Sequence, residues 1–192
     1  MTSRVTVISQ AYTLLGQNGI NDLDVGNPRD QYVASLYDYH YPYTLSLRPW
    51  SFALTTQKLA KLTAPLDLDD WSFGYQLPTD PRWVSIYRAR PNVNFHIYGD
   101  ELYTNADPFQ LDYTFEVDES KLPYSFFTFL LYSFTAKIAM LVTQQPSLVK
   151  LWQQEAAVAF SQASLADSRN QPNIGIADQP LYVAHFIDNT NV

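Results

Sequence analysis

The stretch Leu47-Arg48-Pro49-Trp50-Ser51-Phe52-Ala53 separates a helical sequence pattern from an extended one. Pro49 ends the helix, since proline has no backbone N–H to donate. From Trp50 to Lys61 apolar and polar residues alternate loosely, which favours a strand. Because large aromatic rings at this turn bury much apolar area, we predict that Trp50 and Phe52 are structural residues that anchor the helical part to the sheet.

Two helices are predicted before this stretch, over residues 3–15 and 28–48. Ser3 can cap the first helix, and Pro28 suits the first turn of the second because its missing N–H needs no partner there. Pro42 lies inside the second helical pattern and is expected to kink or break it. Residues three or four apart mark one stripe of this helix: Tyr32, Leu36, Tyr39 and Tyr43.

A β-rich insertion is predicted over residues 50–117, with Gly99-Asp100 as a hairpin turn. Its clearest strand is Phe109–Val117, in which every second residue is apolar. This alternation predicts one buried face and one face in water, the latter formed by Gln110, Asp112, Thr114 and Glu116. Further strands are predicted over Trp71–Leu77, Arg82–Arg90, Val93–Tyr98 and Glu101–Tyr103.

Two more helices, over residues 123–144 and 146–170, close the domain. Each begins at a proline, and the short joint between them predicts an antiparallel pair. We therefore predict an α+β fold, with two N-terminal and two C-terminal helices in a helical bundle and an inserted small antiparallel β-sheet. This domain covers residues 1–170 and is followed by an extended C-terminal arm over 171–192.

The arm is too apolar for an ordinary solvated tail. An extended segment of this kind can add to a sheet edge or lie in a groove, so we predict that the arm is a docking element. Its alternative is to fold back onto its own sheet and complete the core. The residues expected to contact a partner are Ile174, Ile176, Leu181, Tyr182, Val183, Phe186 and Ile187.

Charge and composition restrict the possible functions of this chain. It has 12 basic and 19 acidic residues, a net charge of −7, and no Lys/Arg cluster, so tight nucleic-acid binding is not expected. The absence of cysteine excludes disulfides, Cys-based zinc sites and thiol catalysis. Polar residues interrupt the longest apolar run, Tyr124 to Val142, which therefore predicts a buried helix and no membrane span. We expect a chain that is soluble and intracellular when synthesised.

No catalytic, metal-binding or cofactor-binding residue is predicted. Glycoside hydrolysis would need two carboxylates across a sugar bond, but the acids are expected to lie in solvated loops and on strand surfaces. Asp112 and Glu116, for example, fall on the predicted wet face of their strand. The three histidines, His40, His96 and His185, are far apart in sequence and do not predict converging metal ligands.

The order of these elements resembles the tail tubular protein A family, the head-to-tail adaptors of short-tailed bacteriophages. The resemblance covers residues 3 to 170, and the R-x-W-x-F-A element at Arg48–Ala53 is its most distinctive part. The other motifs follow in matching order: Ala11-Tyr12-Thr13-Leu14-Leu15-Gly16, Ile20, the stripe with Tyr37, Tyr75-x-Leu77-Pro78-x-Asp80, Leu111-x-Tyr113 and Ala136-x-x-Ala139.

This resemblance implies a structural adaptor in the neck of the virion tail, assembled in the host cytoplasm. It implies a ring of identical subunits, with a dodecamer as the expected copy number, between the portal protein and the tail nozzle protein. DNA would pass through the lumen without specific binding, and no cofactor is required. Remote relatives are linked to cell-wall degradation, so a peptidoglycan-degrading hydrolase is the alternative. A third hypothesis is a small-molecule-binding domain that uses aromatic pockets.

Overall fold

The structure, a computed structural model, describes residues 3–20, 27–63 and 70–170. Four helices lie in this part of the chain: α1 Arg4–Leu14, α2 Pro28–Ser46, α3 Tyr124–Thr143 and α4 Pro146–Ser168. Two antiparallel sheets lie between α2 and α3, so the α+β class is confirmed. The predicted arm, including Ile174, Ile176, Leu181, Tyr182, Val183, Phe186 and Ile187, lies outside the described residues.

The helix ends follow the local capping chemistry. The Ser3 hydroxyl accepts a hydrogen bond from the Thr6 backbone N–H at 3.3 Å, and the Asn27 side chain accepts one from Arg29 at 3.0 Å. Between α3 and α4, Gln144 takes a left-handed conformation with φ of 55°, which turns the chain back on itself.

Pro42 was predicted to kink or break α2, and the break is wrong, because the helix continues through it to Ser46. Proline removes one backbone hydrogen bond, to the carbonyl four residues earlier. That carbonyl belongs to Asp38, an exposed residue, so water can replace the missing partner.

The described residues of the β part form seven strands in two sheets, whereas the sequence pattern predicted a single sheet. The strands are β1 Leu54–Lys58, β2 Ala60–Lys61, β3 Phe73–Gln76, β4 Trp83–Arg90, β5 Phe95–Tyr98, β6 Glu101–Thr104 and β7 Gln110–Phe115. The first sheet has the order β1-β7-β4 and the second the order β2-β3-β6-β5. Only Leu59 separates β1 from β2, so the chain passes directly from one sheet to the other. The Gly99-Asp100 turn joins β5 to β6 as predicted, with Gly99 at φ of 60°.

The structure has two hydrophobic cores. One joins the four helices and is centred on residues such as Tyr37, Trp50 and Phe134. The other lies within the β part and includes Tyr75, Leu102, Phe109 and Leu111. Phe115 contacts both cores, so the two parts of the described chain pack as neighbours.

The predicted wet face of β7 is wrong at two positions. Asp112 is only 3% exposed and Thr114 only 1% exposed. β7 is the central strand of its sheet, and α2 contacts both β4 and β7. Because these neighbours cover it, alternating polarity along the strand does not correspond to alternating exposure.

Candidate interaction surfaces

The junction between helices and sheets is built around Trp50, which is fully buried. Its indole N–H donates to the Thr44 carbonyl at 3.2 Å, at the end of α2. Its ring meets Phe126 of α3 edge to face at 4.9 Å, and Phe160 of α4 at 5.9 Å. One side chain therefore contacts three helices, with its single polar atom satisfied.

Phe52, the second predicted anchor, is half-buried. Its ring lies 4.9 Å from that of Phe126 and 6.0 Å from that of Trp50. Phe52 belongs to the short 3₁₀ turn Ser51–Ala53 that leads into β1. The structure thus places both predicted anchors at the junction, and their energetic contribution stays a prediction.

A buried ionic contact at the same junction was not predicted from the sequence. Asp167, near the end of α4, accepts hydrogen bonds from the Ser51 backbone N–H at 2.9 Å and the Ser51 hydroxyl at 2.6 Å. The Arg48 guanidinium lies 3.4 Å from its other oxygen and donates to the Ser164 carbonyl at 3.1 Å. The Arg48 guanidinium also stacks over Trp50, 5.0 Å from the centre of the ring.

His40 lies against α3, with Nε2 2.9 Å from the Ser133 hydroxyl. Burial and, as a smaller cause, the positive charge of Lys137 together lower the pKa of this imidazole to about 4. His40 is therefore neutral at physiological pH and packs beside Phe134 in the helical core. Across the described residues, no group of three or more His, Asp or Glu side chains could hold a metal ion.

An exposed aromatic surface lies on α2, formed by Tyr32, Tyr39 and Tyr43, and is called here the tyrosine face. Tyr39 is 81% exposed, and its two companions are each more than half exposed. These are three of the four residues in the stripe identified from the sequence. The buried side of α2 is formed instead by Val33, Ala34, Tyr37, Tyr41, Thr44 and Leu45.

A second exposed apolar surface lies on α4, formed by Leu151, Val158 and Leu165, and is called here the aliphatic stripe. These residues are seven apart, so they lie along one side of the helix. Their exposed fractions are 45%, 55% and 60%. Opposite them, Ala156, Ala159 and Ala163 are buried. The small side chains let α4 approach its neighbours closely, and the long ones face outward.

A third surface is a groove of about 450 Å³ in the β part, called here the β groove. Its walls come from β4, through Trp83 and Ile86, and from β5, through Phe95 and Ile97. All four side chains are partly exposed and also pack on the β core. The exposed Arg88 lines the same groove, and its guanidinium lies 5.6 Å from the centre of the Tyr87 ring.

The carboxylates of the described chain give the hydrolase alternative little support. Asp80, Glu116, Asp118 and Glu119 line an open depression of about 420 Å³ beside Arg82. A glycosidase acid needs a raised pKa to stay protonated. Hydrogen bonds from the side chain and backbone of Ser120 lower the pKa of Asp118 instead.

Asp112 was expected from the sequence to be a solvated acid, but it is buried in an ion pair with Arg90. Its Oδ2 lies 2.6 Å from Nη2 of Arg90, and its Oδ1 accepts from the Thr56 hydroxyl at 2.7 Å. A carboxylate with its oxygens occupied in this way is a structural group.

Helix α3 has the length and composition of a membrane span, with 20 residues and a mean hydropathy of 1.6. A core helix has the same properties, and residues along α3 such as Phe126, Phe134 and Ile138 are buried in the helical core.

No family model matches this sequence, and a search of curated proteins found no significant match. We therefore base the functional proposal on the chemistry of the surfaces described above.

Proposed function

We propose that this protein is a structural head-to-tail adaptor that forms a ring between a phage portal and a tail nozzle, with a lumen that conducts DNA. The supporting observation is the presence of two unlike apolar surfaces, the tyrosine face on α2 and the aliphatic stripe on α4. The sequence motifs that resemble tail tubular protein A support the same proposal. In this proposal, each subunit is a helical bundle with a β insertion and a C-terminal docking arm over residues 171–192.

Two unlike surfaces on one subunit suit a head-to-tail contact between identical copies. In such a contact, one surface of each copy binds the other surface of the next, and a suitable rotation closes the chain of subunits into a ring. We propose that the aliphatic stripe of one copy binds the tyrosine face of its neighbour. Tyrosine suits this role because its ring is apolar while its hydroxyl can stay hydrated at the rim.

Each contact of this kind is expected to be weak by itself. Fully burying one aliphatic side chain contributes about 1.5–3 kcal/mol, and the stripe residues are already half-buried in the monomer. Three such side chains contribute about 2–5 kcal/mol, which does not exceed the roughly 4–15 kcal/mol that association costs in lost freedom of motion. Many contacts formed together on a portal template are stronger than one pair alone. We therefore expect a monomer or weak oligomer in isolation and a ring on the portal.

The net charge supports passage of DNA without binding. At −7 for each chain, a dodecamer would carry about −84 before counterions. Like charge repels the phosphate backbone, so we expect no measurable binding to duplex DNA at physiological salt. Sub-micromolar binding with a steep salt dependence would contradict this part of the proposal.

The proposal is tested by mixing the full chain with its portal and measuring complex mass by native mass spectrometry and shape by negative-stain microscopy. The expected product is a closed ring on the portal. Replacing all three stripe residues by serine, as Leu151→Ser, Val158→Ser and Leu165→Ser, should prevent the ring and leave the monomer folded. The matched control replaces Gln153 and Ala157, exposed on another side of α4, and should assemble normally.

A tight dimer that unfolds on dissociation would contradict the ring proposal. Degradation of purified cell wall by the isolated chain would favour the hydrolase alternative instead.

A further inference from the structure

The β groove lies between two strand edges that have no partner strand among the residues that the structure describes. β4 is the last strand of one sheet and β5 is the last strand of the other. They follow one another in sequence, joined by residues 91–94, yet they do not pair with each other. On the opposite side, the chain closes the gap between the sheets at Leu59. The β part therefore has one open side, and that side is the groove.

The two edges differ in how well they are protected from further pairing. β4 has register shifts at Trp83/Ser85 and Ile86/Arg88, and bulges of this kind discourage a new strand. β5 pairs with β6 in unbroken register from Phe95 to Tyr98 and contains no proline, lysine or arginine. Its free backbone groups can accept an added strand, while Phe95 and Ile97 present apolar surface beside it.

We propose that residues 171–192 of a neighbouring copy bind in the β groove, with the run Leu181–Ala184 pairing along the free edge of β5. This inference rests on the proposed function, because the bound arm supplies a second contact between neighbouring subunits of the ring. The run has four residues, as β5 does, and Leu181, Tyr182 and Val183 favour strand structure. Residues 171–180 can span about 33 Å when extended, which gives the run its reach.

Charge favours the same pairing. Two acidic residues, Asp178 and Asp188, flank the stretch Leu181–Ile187 of the arm. The groove supplies the exposed cation Arg88, which forms no ion pair with any described carboxylate. A bound arm thus buries apolar side chains against Trp83 and Ile97 while one of its carboxylates approaches Arg88.

The absence of cysteine allows a direct test by disulfide trapping in the full chain. One variant carries Ile97→Cys, and a set of partner variants carries a single cysteine at each of positions 181 to 184, so that both faces of the run are sampled. Because each chain has one thiol, a bond between a position-97 chain and an arm chain must join two molecules. The matched control is Gln153→Cys, an exposed position on α4 that does not line the β groove.

The mixtures are oxidised mildly in the presence of the portal, and the same samples are measured for ring formation by native mass spectrometry. We expect a mixed disulfide from position 97 at about tenfold the yield of the Gln153→Cys control, because docking raises the effective thiol concentration in the groove. Arg88→Glu in the position-97 chain should reduce this yield.

Rings that form normally without a mixed disulfide at any arm position would overturn this inference and leave the proposed function standing. A variant with both cysteines in one chain that forms only an intrachain bond would also overturn it, since the arm would then close its own groove. Failure of the ring itself, with or without a disulfide, would count against the proposed function instead.

Discussion

The helical part and the β part of this chain differ in how completely each closes its core. In the helical part, the large aromatic rings of Trp50, Tyr37 and Phe134 are fully buried. In the β part, Trp83, Ile86, Phe95 and Ile97 cover their core only partly and line an open groove. The β core also buries Tyr75, Phe109 and Tyr113 fully, so the two parts differ chiefly in the open β side, which with the outer helix faces is available for contacts.

The largest expected effect separates two tryptophans. Trp50→Ala should cost about 3–5 kcal/mol of unfolding free energy, because it leaves a cavity among three helices. Trp83→Ala should cost about 1–2 kcal/mol, since part of its ring already faces solvent. Urea unfolding of both variants gives the comparison. Equal losses would show that the two cores are equally closed.

Two buried acids provide the next comparison. Asp167→Ala should cost about 2–4 kcal/mol, since it removes two hydrogen bonds and leaves the partly buried Arg48 without its carboxylate. Asp112→Ala should cost about 1–2 kcal/mol, because its partner Arg90 is 52% exposed and water can solvate it. Chemical denaturation at neutral pH measures both. A larger loss at Asp112 would reverse the proposed ranking of the two parts.

His40 should make the helical part sensitive to acid. The pKa of its imidazole is about 6.5 in an unfolded chain and about 4 in the fold, so the unfolded state binds more protons between these values. The contribution of neutral His40 to the free energy of unfolding is therefore fully present above about pH 6.5 and is lost as the pH falls toward 4. His40→Asn should reduce the stability difference between pH 7 and pH 4.5 by about 2 kcal/mol.

If His40→Asn keeps the wild-type pH profile, acid acts on the chain through other groups.

The smallest effect on stability is expected at the tyrosine face. Tyr39→Ser should change the unfolding free energy by about 0.5 kcal/mol or less, because the side chain is mostly in solvent. The same variant should reduce ring formation on the portal. A stability loss of several kcal/mol would show that the tyrosine belongs to the fold and not to an interface.

Local chemistry explains which elements the sequence could predict. Ser3, Asn27 and Pro28 carry capping signals that do not depend on the rest of the fold, and α1 and α2 begin where those signals place them. The sequence pattern predicted the strands of the insertion, but it did not predict that they form two sheets. Pairing between strands depends on distant parts of the chain, which a local pattern does not contain.

Tertiary packing explains the features that the sequence did not reveal. Asp112 looks like a surface residue in its strand, but it is buried between the flanking strands, where Thr56 and Arg90 bind its carboxylate. Arg48 and Asp167 are more than a hundred positions apart, so no sequence window could pair them. The tyrosine face was identified as a stripe, but its exposure depends on which side of α2 faces α3.

Variants that each lack one surface test the central claim most directly. Tyr39→Asp disables the tyrosine face, and Val158→Asp disables the aliphatic stripe on the other helix. We predict that native mass spectrometry at high protein concentration shows only monomers for each variant alone. An equimolar mixture should give a heterodimer and nothing larger, because one intact contact remains between the two chains. Rings from either variant alone would contradict the account, and so would a mixture that stays monomeric at a concentration at which the wild-type chain self-associates.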